Sequence, residues 1–317
     1  MGDEKIIAVI GATGAQGGGL ARAIVADREG GFAARGITRK TDSEKACELA
    51  EQGVMMVAAD MDDPESIKRA FEGAHGAFCV TNFWEHFSPE KELAQATALA
   101  EAARDAGLAH VIWSTLEDTR KRVPLDDDRM PTLMDKYKVP HFDAKGEAND
   151  IFSRLDVPTT NLLTSFYWEN FIYFGMGPQA GPDGKLAITL PIADKKLPGI
   201  AVEDIGRCAY GILKAGGKYI GKTVGISGEM PTGAEMAAAM SKALGREIAY
   251  NAVPPSVYRT FGFDGVEDIT NMFQYKADFN EEFCGARSVS ESQELNPKLQ
   301  TMADWLADNG SRIPLPK

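Results

Sequence analysis

His141 and Lys145 stand four residues apart in the stretch HFDAKGEANDIF. On a helix that spacing puts an imidazole and an ammonium on one face. Such a pair could hold a ligand hydroxyl and move a proton, the usual work of positioned side chains with titratable nitrogens. Histidine donates from a pKa of about 6.5, but a neighbouring ammonium favours the neutral ring. Lys145 is therefore expected to be the better ligand and His141 a poor acid. Thr115, with Ser114, ends the apolar run HVIWST. Its hydroxyl could polarise a carbonyl or merely satisfy backbone. Tyr210 and Lys214 share the four-residue spacing, but in the amphipathic stretch YGILK, where it reads as chance.

A second constellation is GATGAQGGGL, with Gly11, Gly14 and Gly17 directly after the β-branched run IIAVIG. Gly11 and Gly14 allow a tight turn and close approach to a pyrophosphate, and Gly17 allows a helix to pack on the strand. Ala15 opens that helix, whose N-terminus offers free N–H groups to phosphates. The pattern predicts a bound dinucleotide. At the end of the second strand NAD binders usually carry an acid for the ribose 2′-hydroxyl. Here GITRK supplies Arg39 and Lys40, and a guanidinium suits a 2′-phosphate. The expected cofactor is NADP(H). Asp60 and Met61 follow the third strand in AADMDD, where Asp60 could meet the adenine or cap a helix. Thr81, Asn82 and Phe83 end the fourth strand, beside the ribose and nicotinamide. In many nicotinamide-dependent reductases a lysine spaced like Lys145 follows a proton-donating tyrosine, Tyr-x-x-x-Lys. Here His141 takes the tyrosine's slot.

The elements that must position these residues alternate. Apolar strands are predicted over 6–11, 33–39, 54–60, 76–82 and 110–115, separated by helical patterns. Thr41 and Glu44 have capping-box spacing, Asp63 and Ser88 precede Pro64 and Pro89, and Gly53, Gly73 and Gly107 close the helices. Wholly apolar strands separated by helices indicate α/β architecture, a Rossmann-type doubly wound parallel sheet. After Thr115 the charged, proline-bearing stretch 116–140 reads as a mobile excursion. A helix over about 141–155 and a strand at VPTTNLLTSF follow. Later strands fall in KLAITLP, KTVGISG and REIAYNAVP, and helices in IGRCAYGILKAGG, after Thr232 and near LQTMADWLADNG. The expected division is a dinucleotide-binding domain over 1–158 and a smaller α/β domain over 159–317 that sends segments back to the sheet.

The chain has 317 residues, 44% hydrophobic and 25% charged, the balance of an ordinary globular protein. A net charge of −12 argues against nucleic acid and anionic lipid as partners. The N-terminal MGDEKIIAVIG is too short and acidic for a signal peptide, and no apolar run is long enough to span a bilayer. Four dispersed cysteines, with no C-x-x-C, read as reduced thiols in a cytoplasmic protein. Four histidines without metal-ligand spacing predict no metal site.

Together IGATGAQGGGLARA, GITRK, VTNFWE, VIWSTLED, VPHFDAKGEANDIF, SFYWENF and VEDIGRCA resemble the NmrA-like family of atypical short-chain dehydrogenase/reductases, and its nucleotide-sensing branch in particular. The resemblance covers nearly the whole chain. It implies that Gly11, Thr13, Gly14, Gln16 and Gly17 contact phosphates, that Arg39 and Lys40 contact the 2′-phosphate, and that Lys145 holds the nicotinamide ribose. It also implies that Tyr167 and Asn170 line a cleft closed by the smaller domain. Some members of that family bind NADP(H) as regulators and others reduce small molecules. The missing tyrosine and the excursion favour a cofactor sensor acting on a protein partner, as a monomer or homodimer. The alternative is a reductase of a quinone-like, aromatic or carbonyl substrate in a cleft with Phe83, Trp84, Tyr167 and Trp168. A nucleotide-sugar epimerase is the weaker third, for want of a Tyr-x-x-x-Lys base.

Overall fold

The computed structural model describes residues 4–316. Six strands lead the chain: β1 (Lys5–Ile10), β2 (Phe32–Thr38), β3 (Met55–Ala58), β4 (Gly76–Cys79), β5 (His110–Thr115) and β6 (Thr159–Leu163). Helices α1 (Ala15–Ala26), α2 (Glu44–Glu51), α3 (Pro64–Phe71), α4 (Pro89–Asp105) and α5 (Pro140–Arg154) connect them in turn. With strand Thr223–Gly225 they form a seven-stranded sheet in the order Thr223–Gly225, β6, β5, β4, β1, β2, β3. Every pairing in it is parallel. This is the doubly wound Rossmann arrangement. The strand order reverses between β1 and β4, which opens a crevice at the carboxyl ends of the strands.

Alternation along β1 explains why both faces are covered. Ile7 and Val9 pack with Leu20 and Ile24 of α1 and with Ile205 and Ile212 of helix Val202–Lys214. Ala8 and Ile10 face Ile67 and Phe71 of α3, Leu99 of α4 and Phe152 of α5. Each fully buried Leu, Ile or Phe contributes about 1.5–3 kcal/mol. The alanines of α4 (Ala96, Ala100, Ala102, Ala103) are spent on this core. A third core holds Phe166, Trp168, Phe171, Ile188, Phe273 and Trp305. It lies beneath a small sheet of Gln179–Ala180, Leu186–Leu190 and Ile248–Ala252.

Local chemistry sets several helix starts. Asp63 accepts from Ser66 N ahead of Pro64, and Ser88 accepts from Lys91 N ahead of Pro89. Thr232 and Glu235 form a reciprocal capping box at helix Gly233–Leu244. The expected box at Thr41 and Glu44 does not form: Ser43, two residues after Thr41, occupies the cap of α2 without a side-chain bond, so Glu44 opens the helix instead of standing at its third position. Beyond the division expected at 158/159, β6 and Thr223–Gly225 both pair within the main sheet.

The excursion 116–140 is tied to the elements around it by hydrogen bonds. Asp143 of α5 accepts hydrogen bonds from Thr119 N, Thr119 Oγ1, Lys138 N and Val139 N at 2.6–3.0 Å. From helix Val266–Asp278, Asn271 Nδ2 donates to the carbonyls of Pro131 (2.9 Å) and Lys138 (2.6 Å), and Gln274 Nε2 to that of Arg129 (2.7 Å). These bonds satisfy backbone groups that the irregular path would otherwise strand. No described helix is long and apolar enough to cross a membrane.

Candidate active site

At the carboxyl ends of the strands lies a cleft of about 710 Å³. Its first wall is the glycine turn. Gly11 sits at φ +62°, in the left-handed region. A Cβ on Gly17 would stand 2.6 Å from the carbonyl oxygens of Gly11 and Ile10, so only glycine lets α1 start against β1. Thr13, Gly14, Ala15 and Gln16 complete this wall. Gln16 Nε2 donates to the hydroxyl of Tyr167 at 2.6 Å, while its Oε1 is buried with no protein partner among the described residues. A glycine cradle with an unpartnered polar atom beside free helix N–H groups fits the phosphates of a dinucleotide.

Arg39 lines one rim and is ion-paired with Glu85, from the short turn after β4. Lys40 is exposed and is not part of the cleft wall. Asp60, Met61, Thr81, Asn82 and Phe83 all reach the cleft. Asp60 does not cap α3, a task taken by Asp63; its Oδ1 instead accepts from Asp62 N at 3.0 Å.

Lys145 and His141 project from α5 into the same cleft. Lys145 Nζ donates to Thr81 O (3.0 Å) and Thr81 Oγ1 (2.6 Å) and pairs with Glu92 Oε1 of α4 at 2.6 Å. Glu92 is fully buried, and Thr81 Oγ1 also donates to it at 2.5 Å. A buried carboxylate of this kind needs its counter-charge. His141 Nδ1 lies 2.6 Å from Asp268 Oδ1, and the backbone N of His141 donates to Asp268 Oδ2 at 3.1 Å. Its Nε2 has no hydrogen-bond partner among the described residues. The ring packs tilted against Trp84, with centroids 4.7 Å apart. The polar partner of the imidazole is thus the Asp268 carboxylate, while the Lys145 ammonium is held by Glu92.

Thr115 is not brought to the cleft. Its hydroxyl, 1% exposed, donates to Asn149 Oδ1 (2.7 Å) and to the backbone oxygen of Lys145 (3.1 Å), tying β5 to α5. Tyr210 and Lys214 both contact Asp27, away from the cleft. The aromatic run after β6 divides. Tyr167, Phe174 and Asn170 line the cleft, Phe166 belongs to both the cleft wall and the third core, and Trp168 and Phe171 are buried in that core. Burial pushes the Tyr167 hydroxyl up from its usual pKa, which makes it a poor proton donor.

Sequence reasoning misses the cleft's third wall, helix Val266–Asp278. It starts at Gly265 (φ 77°) with no side-chain cap, so no start signal announces it. It contributes Asp268 to His141 and sets Ile269, Met272 and Lys276 along the cleft. The recurrence of 268, 272 and 276 at helical spacing was the signal available.

A doubly wound sheet whose first glycine turn opens a cleft at the strand-order reversal defines a Rossmann-type NAD(P)-binding protein. Within that class the chain belongs to the NmrA-like family, whose sequence model matches residues 3–306. An NmrA-like oxidoreductase, FrzB, of a Cladobotryum species is 29% identical over 85% of this chain and 83% of its own length. Another, ptmS of Penicillium ochrochloron, is 25% identical over 95% of this chain and 92% of its own. Among solved structures, the negative transcriptional regulator NmrA in complex with NAD superposes with a TM-score of 0.79 at 25% identity, covering 96% of this chain and 95% of that one. The Citrobacter triphenylmethane reductase complexed with NADP(H) shares the fold at TM-score 0.74 and 19% identity, over 96% of this chain and 99% of that one.

Proposed function

We propose that this protein is an NADP(H)-dependent oxidoreductase acting on an apolar, ring-sized carbonyl or quinone-like substrate. The observation that carries this reading is the His141–Asp268 pair on the wall of a cleft lined by Phe83, Trp84 and Phe142. Relatives described as oxidoreductases support it, as does the NADP(H) bound to a reductase of the same fold. Arg39, with no acid at the end of β2, favours the phosphorylated cofactor.

When bound, NADPH supplies a hydride. A carbonyl that accepts it needs a proton on its oxygen, whereas a quinone product can take protons from solvent. In this chain Asp268 fixes the imidazole through Nδ1 and stands as its counter-charge, which leaves Nε2 to give that proton. Lys145, held by Glu92 and Thr81, offers an ammonium to a ribose hydroxyl. Trp84 and Phe83 exclude water around the ring. The test mixes the protein with NADPH and either menadione or benzaldehyde and follows NADPH oxidation. Oxidation above background that drops in His141→Ala with benzaldehyde is expected; none with either probe sinks the reading.

A second reading, a cofactor sensor, draws on the Gln16–Tyr167 hydrogen bond, which links the glycine turn to the chain after β6. A ligand acts as a switch only through different affinity for two states. NADP(H) should then alter hydrogen exchange beyond the cleft, in the segments around Tyr167. Unchanged protection there would remove the sensor.

A further inference from the structure

Lys276 is 4% exposed, yet it lines the cleft. Its ammonium is surrounded by the rings of Phe142, Phe273 and Phe283, whose centroids lie 5.3–5.5 Å from Nζ. Among the described residues its one hydrogen-bond partner is Met272 Sδ at 3.3 Å, a weak acceptor. No carboxylate among the described residues forms an ion pair with it. Glu117 and Arg287 also act on it, but they are paired with each other at 2.6 and 3.1 Å. His141 and Asp268, the other titratable pair on this side of the cleft, also satisfy one another. A buried ammonium without a counter-ion is costly. Burial, followed by the Arg287 charge, pushes the amine down to about 7.

We propose that Lys276 anchors an anionic subsite of the cleft, taking the carboxylate of an acid whose apolar, ring-sized body lies against Phe142, Met272 and Ile269. This rests on the reading of the cleft as a substrate site and narrows the substrate to a compound carrying both a reducible group and an acidic one. The phenyl cage excludes water, so the arriving carboxylate meets the ammonium in a medium of low dielectric. There a single pair is worth far more than at the surface. Because the empty site holds its proton loosely near neutrality, binding the anion draws a proton in. The ligand supplies the counter-ion that the fold omits.

Phenylacetate serves as the probe and phenylacetamide as its uncharged isostere, titrated calorimetrically into the full chain with and without NADPH. Phenylacetate is expected to bind at least about tenfold more tightly than the amide. Its affinity should fall as pH rises through the neutral range, because the empty site then loses its proton. At a pH of about 8, heats measured in two buffers of different ionisation enthalpy should report proton uptake by the unmutated protein. Lys276→Met should abolish the preference and the uptake while retaining or raising Tm. A lysine that serves only packing would give the reverse, a loss of Tm with unchanged ligand preference. Equal binding of acid and amide, no saturable binding of phenylacetate, or binding without proton uptake overturns the proposal. NADPH titrated into the same samples separates the two readings. Failure of NADPH to bind would defeat the oxidoreductase reading, whereas the subsite is decided by the acid–amide difference and the proton uptake.

Discussion

The Nδ1 of His141 lies 2.6 Å from Oδ1 of Asp268, across 127 residues of chain. That contact gives the imidazole a fixed orientation beside the cleft. Asp268→Asn keeps the shape but removes the counter-charge. It should lower carbonyl turnover by roughly 10²-fold, toward the loss expected of His141→Ala, while leaving the Kd for NADPH within a factor of about two. Steady-state rates with benzaldehyde alongside a cofactor titration check this. Equal turnover in parent and Asp268→Asn would remove the pair from the chemistry.

Lys145 and Glu92 form a buried pair at 2.6 Å, so truncating one strands the other. Lys145→Ala should weaken cofactor binding and also cost about 3–5 kcal/mol of stability. Adding Glu92→Gln should recover most of that stability and none of the affinity. Urea unfolding with parallel NADPH titration separates the two effects. Recovery of affinity in the double variant would mean that Lys145 acts only structurally.

Arg39 has a competitor, because Glu85 pairs with it on the rim. Arg39→Ala should reduce NADP(H) affinity roughly ten- to a hundredfold and leave NAD(H) unchanged, since a charge-assisted hydrogen bond is worth about 1.5–3 kcal/mol. Glu85→Ala should tighten NADP(H) by freeing the guanidinium. Calorimetry with both cofactors on both variants decides it, and equal preference in the parent would contradict the assignment.

His110 is 4% exposed on β5, and its Nε2 lies 2.8 Å from Thr160 Oγ1. Burial pushes its pKa down to about 4 from the model-peptide value of 6.5. Between those values the unfolded chain binds a proton that the folded one refuses, so stability falls as pH falls through that window. The loss should approach ~3 kcal/mol. His110→Gln should flatten the acid limb of Tm against pH over that range; an unchanged limb would place the acid sensitivity elsewhere.

Much of the fold was legible because its signals are local. A glycine turn between a strand and a helix, Asp63 before Pro64, Ser88 before Pro89, and Thr232 three residues before Glu235 each act within a few residues. Alternation in β1 also predicts a sheet covered on both faces. The walls of the cleft at Gly11–Gly17, Asp60–Met61 and Thr81–Phe83 follow from strand ends, which sequence patterning locates well.

Tertiary structure alone decided which charges meet. Patterning could place His141 and Lys145 on one helix face, but not supply Asp268 and Glu92, which arrive from other elements. It could not turn the Thr115 hydroxyl inward to Asn149, pin the excursion to Asn271, or enclose Lys276 in phenyl rings. The physical reason is range. Turns, caps and periodicity are energies between neighbours in the chain, whereas a buried charge is paired by whatever packing brings within about 4 Å, where low dielectric makes the partner decisive.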